Sequence, residues 1–238
     1  RVGTDQIEHK SLNSLVSYVD KGAEERLVKA LHALLPEAGF IAEEGTSNKQ
    51  GEKYNWIIDP LDGTTNYLHG IPTYAISVAL KADDEIVLGV VYELGQKEMF
   101  SAERGKGAFL NGKKIQVNQA NKMEDALFAT GFPYYDFGRM DEFNQLLSYF
   151  FKNTRGVRRL GSAATDLAYV ACGRFSGFFE YGLSPWDVAA GALLVEEAGG
   201  EVSDFQAGKN WLFGGEILAG SAALYDNFQQ VVEKHMKR

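Results

Sequence analysis

The segment from Trp56 to Gly70, WIIDPLDGTTNYLHG, contains the residues whose types and spacing are best suited to chemistry. Three apolar residues lead directly into Asp59, and Asp62 follows three positions later. Both carboxylates can point into one cleft around a turn at Pro60. The simpler interpretation is a capped turn with two solvated aspartates, which accounts for most isolated Asp-x-x-Asp pairs.

A glycine and two threonines follow this pair at once. Gly63 permits a conformation or a close approach that a side chain would block. A helical turn beginning at Gly63 and Thr64 would present free backbone N–H groups to an anion. Carboxylates beside an anion repel it unless divalent cations lie between them, so the arrangement predicts oxygen-ligated, hard metal ions such as Mg²⁺.

Two other acidic stretches strengthen the metal hypothesis. GFIAEEG places Glu43 and Glu44 after an apolar run, at what we predict to be the end of a strand. SPWDVAAG places Asp187 in the first turn of a helix, where Trp186 can hold it. Taken singly, the glutamates could be a solvated pair and Asp187 a helix cap. Together, three acidic sites at element boundaries favour one metal cluster.

The first half of the chain is predicted to be dominated by strands. Helical periodicity followed by Pro36 predicts one helix over 23–35. A short buried strand is expected over 55–59, ahead of an antiparallel meander with turns at Asp83-Asp84 and Asn111-Gly112. The runs of the meander are 73–81, 85–93, 98–103 and 107–117.

The second half alternates strands and helices. Strands are predicted over 126–130, 176–182 and 216–220, and helices over 143–151, 162–173, 186–200 and from about Ala222. The fold class predicted is α/β (α+β), a layered αβαβα sandwich with a mixed, mostly antiparallel N-terminal sheet and a second C-terminal sheet. A single domain is expected over 1–238, with halves 1–120 and 121–238 around a cleft.

Composition limits the classes of partner. The net charge of −8 argues against a nucleic-acid surface, and the short basic stretch Arg155–Gly161 is better explained as a strand edge. The absence of an apolar run of about 18 residues argues against a membrane span. The single Cys172 predicts a buried structural thiol in a reducing cytoplasm. The chain does not begin with Met, so a segment preceding Arg1 is expected to be missing.

Three motifs together closely resemble the inositol monophosphatase family of Mg²⁺-dependent, lithium-sensitive phosphatases. These motifs are GFIAEEG, WIIDPLDGTTNYLHGIP and WDVAAGALLVEEAGG. The resemblance extends from about Lys10 to the final helix. The central and C-terminal motifs are highly specific, because each combines length, residue type and order.

The resemblance implies roles for individual residues. The metal ligands would be Glu43, Asp59, the carbonyl of Leu61, Asp62 and Asp187, holding two or three Mg²⁺ ions. Gly63 and Thr64 would bind the phosphate, while Glu43 and Thr64 orient the attacking water. Asp20 matches an aspartate that supports this group, although the family pattern before it usually reads Asp-Leu-Val-Thr and this chain has Ser14 and Ser17.

The stretch RRLGSAATDLAYVACGRFSGFFEYG resembles the substrate wall of the family. Gly161, Ser162, Ala163 and the carboxylate of Glu180 would contact sugar or cyclitol hydroxyls. A strand-end charge in water is the alternative for Glu180, whose seven-residue spacing to Asp187 the family shares. His69 is interpreted as a surface residue, since hard Mg²⁺ sites favour oxygen ligands.

The activity that the resemblance implies is hydrolysis of a small phosphate monoester by a metal-activated water. Inositol monophosphate is the favoured substrate, and histidinol phosphate or another sugar phosphate is the alternative. A homodimer is expected as in the family. A haloacid-dehalogenase-like phosphatase is less favoured, because its two aspartates lie two positions apart rather than three. A metal- or phosphosugar-binding protein without turnover is the non-enzymatic alternative.

Overall fold

The computed structural model describes residues 7–11, 14–47, 49–134 and 136–237. The strands in these ranges are β1 Ile7–Ser11, β2 Ser14–Ser17, β3 Gly39–Ala42, β4 Tyr54–Asp62, β5 Ala75–Ala82, β6 Glu85–Glu93, β7 Glu98–Glu103, β8 Gly107–Leu110, β9 Lys113–Lys114, β10 Phe128–Thr130, β11 Val157–Arg158, β12 Gly177–Tyr181, β13 Gly200–Ser203 and β14 Glu216–Ser221. The α-helices are α1 Tyr18–Leu34, α2 Thr64–His69, α3 Met140–Asn153, α4 Ala163–Ala171, α5 Pro185–Glu197 and α6 Tyr225–His235.

The larger sheet has seven strands in the order β3-β4-β5-β6-β7-β8-β9. β3 pairs with β4 in parallel, and every later pairing in this sheet is antiparallel. Short turns join β5 to β6 and β6 to β7, so sequence neighbours are also spatial neighbours. The carboxyl ends of β3 and β4 therefore lie side by side at one edge of the sheet.

The smaller sheet has five strands in the order β11-β10-β12-β14-β13. β10 is parallel to both of its neighbours, whereas β14 is antiparallel to β12 and β13. β11 belongs to the basic stretch and forms the edge of the sheet, as predicted. β1 and β2 form a separate antiparallel pair.

Helices α4 and α5 fill the space between the two sheets. Their apolar residues share one core with the inner faces of both sheets, including Ile57 from β4 and Phe178 from β12. α1 covers the outer face of the larger sheet through a second core containing Leu31 and Trp56. α3 and α6 cover the outer face of the smaller sheet through an aromatic core around Phe150. The layer order is αβαβα, which confirms the predicted fold class.

Element boundaries differ from the predictions at several points. The first helix begins at Tyr18 rather than Ala23. The run predicted over 107–117 consists of two short strands, β8 and β9, on either side of the predicted turn at Asn111-Gly112, and the prediction is wrong beyond Lys114, where β9 ends. Cys172 is half-buried against the central core rather than fully buried. In the part of the chain that is described, no helix has both the length and the apolar character needed to cross a membrane. The side chains of Ser14 and Ser17 lie outside the described residues.

Candidate active site

A β-bulge in β4 brings the two aspartates of the opening segment to one side of the sheet. Asp59 pairs with Ser77 of β5 and Asp62 with Ala75, so three steps along β4 oppose two steps along β5. In a regular strand, residues three apart point to opposite faces. The extra residue in the bulge places Asp59 and Asp62 on the same face of the sheet. Pro60 lies within the bulge, where its missing N–H removes no hydrogen bond between the strands.

Asp187 of helix α5 lies close to this pair of aspartates. It is the third residue of α5, and its Oδ2 accepts a hydrogen bond of 2.7 Å from the backbone N–H of Ser184. Carboxylate oxygens of Asp59, Asp62 and Asp187 all lie within 4.8 Å of one another. The helix-cap interpretation and the cluster interpretation of Asp187 therefore both hold. Ser77 Oγ donates to the carbonyl of Trp186 at 3.0 Å and fixes the start of α5 against β5.

Burial and repulsion between neighbouring carboxylates disfavour the charged forms of the cluster residues. Burial raises the pKa of Asp59 well above its ordinary value, and repulsion from Glu43, Asp62 and Asp187 adds to this. Burial also raises the pKa of Asp62 to about 6. The pKa of Asp187 is raised by burial and then by Asp62. Four mutually repelling carboxylates with only oxygen donors fit a hard divalent cation.

Hydrogen bonds fix the direction of the two aspartates in β4. Asp62 Oδ2 accepts from Ser162 Oγ at 2.7 Å and from the backbone N–H of Ala164 at 2.7 Å. Asp59 Oδ1 accepts from the N–H of Leu61 at 2.8 Å. The N-terminus of α4 thus orients Asp62, and Ser162 is engaged with this carboxylate rather than pointing freely into solvent. Oriented ligands of this kind are typical of metal sites.

Thr64 connects the cluster with α1. Its hydroxyl lies 3.0 Å from Asp20 Oδ1 and 3.0 Å from the carbonyl oxygen of Leu61, so it can donate to either. Asp20 is only 1% exposed. Gly63 has a φ of 93°, and a Cβ there would lie 3.1 Å from the carbonyl oxygen of Gly161. Glycine is therefore favoured at residue 63 for two reasons, the left-handed backbone conformation and the close approach of the loop that contains Gly161.

A cavity of about 350 Å³ opens beside the cluster. Nine of the residues predicted for the site line it, namely Glu43, Asp62, Gly63, Thr64, Gly161, Ser162, Ala163, Glu180 and Asp187. The other three, Asp20, Asp59 and Leu61, are buried side chains behind this surface. His69 is exposed at the end of α2 and lies outside the cavity lining.

Sequence reasoning missed several residues of the cavity wall. Asp166 lines the cavity, is 1% exposed, and its Oδ1 has no hydrogen-bond partner among the described residues. Burial and the neighbouring Glu180 raise the pKa of Asp166 well above its ordinary value. Arg159, which we had assigned to a strand edge, also lines the cavity, where its guanidinium contacts the hydroxyl of Tyr134 and lies over its ring.

The sequence held a signal for Asp166 and none for Gly131. Asp166 is the only charged residue in the apolar helix AATDLAYVA, and a charge that must be buried there is unusual without a function. Gly131 also lines the cavity, and a Cβ there would lie 1.9 Å from Glu180 Oε1. Close approaches of this kind depend on tertiary packing and leave no pattern in the sequence.

Solved structures with this architecture give the class of protein. A structure of extragenic suppressor protein suhB from Bartonella henselae superposes with a TM-score of 0.92 at 39% identity, covering 96% of this chain and 88% of that one. The sequence model of the Inositol monophosphatase family matches residues 3–237. The chain therefore belongs to the inositol monophosphatase family, and this membership supports metal-dependent hydrolysis of phosphate monoesters.

Curated relatives fall under two names. The chain is 43% identical over 230 residues to an inositol-1-monophosphatase of Mesorhizobium japonicum, covering 96% of this chain and 86% of the relative. It is 41% identical over 242 residues to Nus factor SuhB of Pseudomonas aeruginosa, covering 99% of this chain and 89% of the relative. Family membership thus leaves the particular substrate open.

Proposed function

We propose that this protein is a Mg²⁺-dependent phosphatase of small phosphate monoesters. Inositol monophosphate is the favoured substrate, and histidinol phosphate is the alternative. The observation that supports this most strongly is the Asp59–Asp62–Asp187 cluster beside a polar cavity. The cavity volume of about 350 Å³ is at the small end for ligand sites, which favours a compact monophosphate.

The residues proposed to hold Mg²⁺ are Glu43, Asp59, the Leu61 carbonyl, Asp62 and Asp187. All of these donors are oxygen atoms, the set that Mg²⁺ prefers, and we propose two or three ions per site. When bound, Mg²⁺ would stabilise developing negative charge as a Lewis acid and would lower the pKa of a water, so that the water loses a proton more readily and becomes a better nucleophile toward phosphorus.

The surrounding residues are proposed to prepare the attack on the phosphate. Thr64, held by Asp20, would fix the orientation of the attacking water together with Glu43. Gly63 and Thr64 open α2 at the cavity and would bind the phosphate oxygens through backbone N–H groups. Because Asp62 is held by Ser162 and Ala164, its carboxylate is already oriented before substrate binds.

The far wall of the cavity is proposed to bind the alcohol portion of the substrate. Glu180 is 7% exposed and lines the cavity with Gly161, Ser162 and Ala163. Its carboxylate would accept hydrogen bonds from substrate hydroxyls. Since residues from both halves of the chain line one cavity, we also propose that 1–238 forms one domain.

Four properties complete this proposal. Li⁺ is expected to occupy the Asp59–Asp62–Asp187 site after turnover and to hinder phosphate release. A homodimer in the cytoplasm is expected, with no nucleic-acid partner. Activity that stays constant as Li⁺ is raised through the millimolar range, or a monomer in light scattering, would contradict the corresponding property.

A second candidate function comes from the relatives named Nus factor SuhB. At 41% identity over nearly the whole chain, a role as a Nus factor is compatible with the same fold. A binding protein without turnover is the other alternative to a phosphatase. The retained acidic cluster favours the phosphatase, because a role without chemistry does not require mutually repelling buried carboxylates.

The test is a phosphate-release assay over a panel of esters with and without Mg²⁺. Inositol monophosphate should be hydrolysed faster than histidinol phosphate, and a chelator should abolish release from both. Release from none of the esters at any Mg²⁺ concentration would refute the enzymatic proposal. In that event, calorimetric titration with Mg²⁺ would separate a binding protein from one with no metal site.

A further inference from the structure

α1 buries two carboxylates on one face. Asp20 is 1% exposed and Glu24 is 0% exposed, and the two lie four residues apart. Residues at this spacing are neighbours on a helix surface. Glutamate is almost never fully buried unless it is paired, so Glu24 needs a structural or functional reason for its position.

Three hydrogen bonds to the loop after β3 provide that reason. Glu24 Oε2 accepts from the backbone N–H of Glu44 at 2.8 Å. Glu24 Oε1 accepts from the backbone N–H of Thr46 at 2.9 Å and from its hydroxyl at 2.8 Å. Both oxygens of the buried carboxylate are thus engaged, which fixes the loop in position and in direction.

The loop held in this way begins immediately after Glu43. The N–H of Glu43 donates to the carbonyl of Ile58 in β4 at 3.2 Å, so this residue is fixed on its N-terminal side by the sheet. Gly45 then turns the chain with a φ of 66°. Glu24 fixes the C-terminal side of the same turn, and Glu43 lies between the two fixed points on the cavity wall.

We propose that Glu24 is a positioning residue for Glu43, and that α1 sets the distance between the two loops of the metal site. Asp20 contacts Thr64 at the start of α2, while Glu24 holds the loop that contains Glu43. Because both carboxylates are on one helix, displacement of either loop breaks a hydrogen bond to α1. This inference rests on the proposed function, in which Glu43 binds Mg²⁺.

The test compares Glu24→Gln with Glu25→Gln, a matched change at the exposed neighbouring position. Glutamine keeps the size of the side chain, but its amide group must face one of the N–H donors, so at least one hydrogen bond is lost. The Mg²⁺ concentration giving half of the maximal thermal shift should rise about tenfold in Glu24→Gln, as is usual for residues behind metal ligands, and stay unchanged in Glu25→Gln.

Two further readouts separate positioning from general stabilisation. At saturating Mg²⁺, kcat of Glu24→Gln should recover to near the wild-type value, and amide hydrogen exchange should accelerate at Glu44 and Thr46. Thr46→Val removes only the hydroxyl bond and should raise the half-maximal Mg²⁺ concentration by a smaller factor, while Thr46→Ser should restore it. Thr46→Val also provides the test if Glu24→Gln does not fold.

The outcomes are distinguishable. If Glu24→Gln lowers the melting temperature but leaves the Mg²⁺ dependence at the wild-type value, Glu24 is only structural and the inference is wrong. If Glu24→Gln does not fold and Thr46→Val has the wild-type Mg²⁺ dependence, it is equally wrong. If the wild type itself shows no Mg²⁺-dependent shift, the proposed function fails and this inference fails with it.

Discussion

The molecule buries carboxylates in two different ways, and the contrast separates stability from function. In the C-terminal half, Glu216 is 2% exposed and lies 2.6 Å from the guanidinium of Arg139. Arg139 also donates to the carbonyl of Met236 at 2.8 Å and lies over the rings of Tyr181 and Phe205. The positive guanidinium of Arg139 thus balances the negative charge of the buried Glu216 inside the protein.

The acidic cluster is compensated differently. Carboxylate oxygens of Asp59, Asp62 and Asp187 lie within 4.8 Å of one another. Burial raises the pKa of all three, and repulsion between the carboxylates raises the pKa values of Asp59 and Asp187 further. A buried ion pair can be satisfied by folding alone, whereas a buried cluster of one sign is satisfied only by protons or by a bound cation. Substitutions at the two sites should therefore have opposite consequences.

The largest effect is expected for Asp62→Asn on turnover. The change is nearly isosteric, and an asparagine oxygen can still accept from Ser162 and Ala164, so the fold should be kept. Loss of one ligand charge should remove about 3–4 kcal/mol of transition-state stabilisation, which slows turnover by roughly two to three orders of magnitude. Phosphate release under saturating substrate measures this loss.

Thr64→Ala is the comparison variant for Asp62→Asn. It should also be slow, chiefly because the attacking water loses its orientation, but it should retain more affinity for the metal. The thermal shift on addition of Mg²⁺ should therefore decrease more in Asp62→Asn than in Thr64→Ala. A near wild-type rate and an unchanged Mg²⁺ requirement in Asp62→Asn would contradict the metal-cluster interpretation.

Arg139→Met should show the opposite profile. Removing the guanidinium leaves Glu216 buried without its countercharge, which typically costs about 3 kcal/mol of folding free energy. Urea denaturation should report this loss, while the Mg²⁺ dependence of activity below the unfolding transition stays at the wild-type value. The double variant Arg139→Met with Glu216→Gln should recover part of the stability. Unchanged stability in the single variant would show that the pair contributes little.

Much of the fold was predictable because local signals agreed with the tertiary structure. The meander β5 to β9 followed from alternating apolar residues and turn dipeptides, and Ser162 marked the start of α4. The cluster of Asp59, Asp62 and Asp187 was predicted from acidic residues at element boundaries. The bulge in β4 was not predicted. The strand was expected to end at Asp59 before a turn at Pro60, whereas β4 continues through Pro60 to Asp62.

The remainder depended on packing between distant segments. Glu24 looks like any surface glutamate in a polar helix, and only the approach of the loop at 44–46 makes it a buried acceptor. Arg159 looked like part of a basic strand edge, because residues 155–159, which include β11, contain three arginines. Its guanidinium turns into the cavity through contacts with Tyr134, which lies 25 positions away in sequence.

A smaller effect is expected at the substrate wall. A Cβ at residue 131 would lie 1.9 Å from Glu180 Oε1, so Gly131→Ala should displace this carboxylate. Both Gly131→Ala and Glu180→Gln should raise KM about tenfold, the value of one hydrogen bond to a charged group. The double variant should be no worse than either single one, because both remove the same contact. Gly22→Ala, where a Cβ meets nothing within 4 Å, is the control.

The smallest effect concerns pH and uses the metal-free protein. Burial raises the pKa of Asp62 from 3.8 to about 6, so the protonated carboxyl is favoured by folding. Its contribution to stability is complete below pH 3.8 and is lost as the pH rises through about 6. The melting temperature without Mg²⁺ should therefore fall across this interval, while the increase produced by Mg²⁺, which competes with protons, should grow. Asp62→Asn should reduce both trends without abolishing them, because Asp59 and Asp187, whose pKa values are also raised, still titrate. If the wild type instead gains stability with rising pH in the absence of metal, the cluster is compensated from within, as Glu216 is, and the contrast between the two sites is wrong.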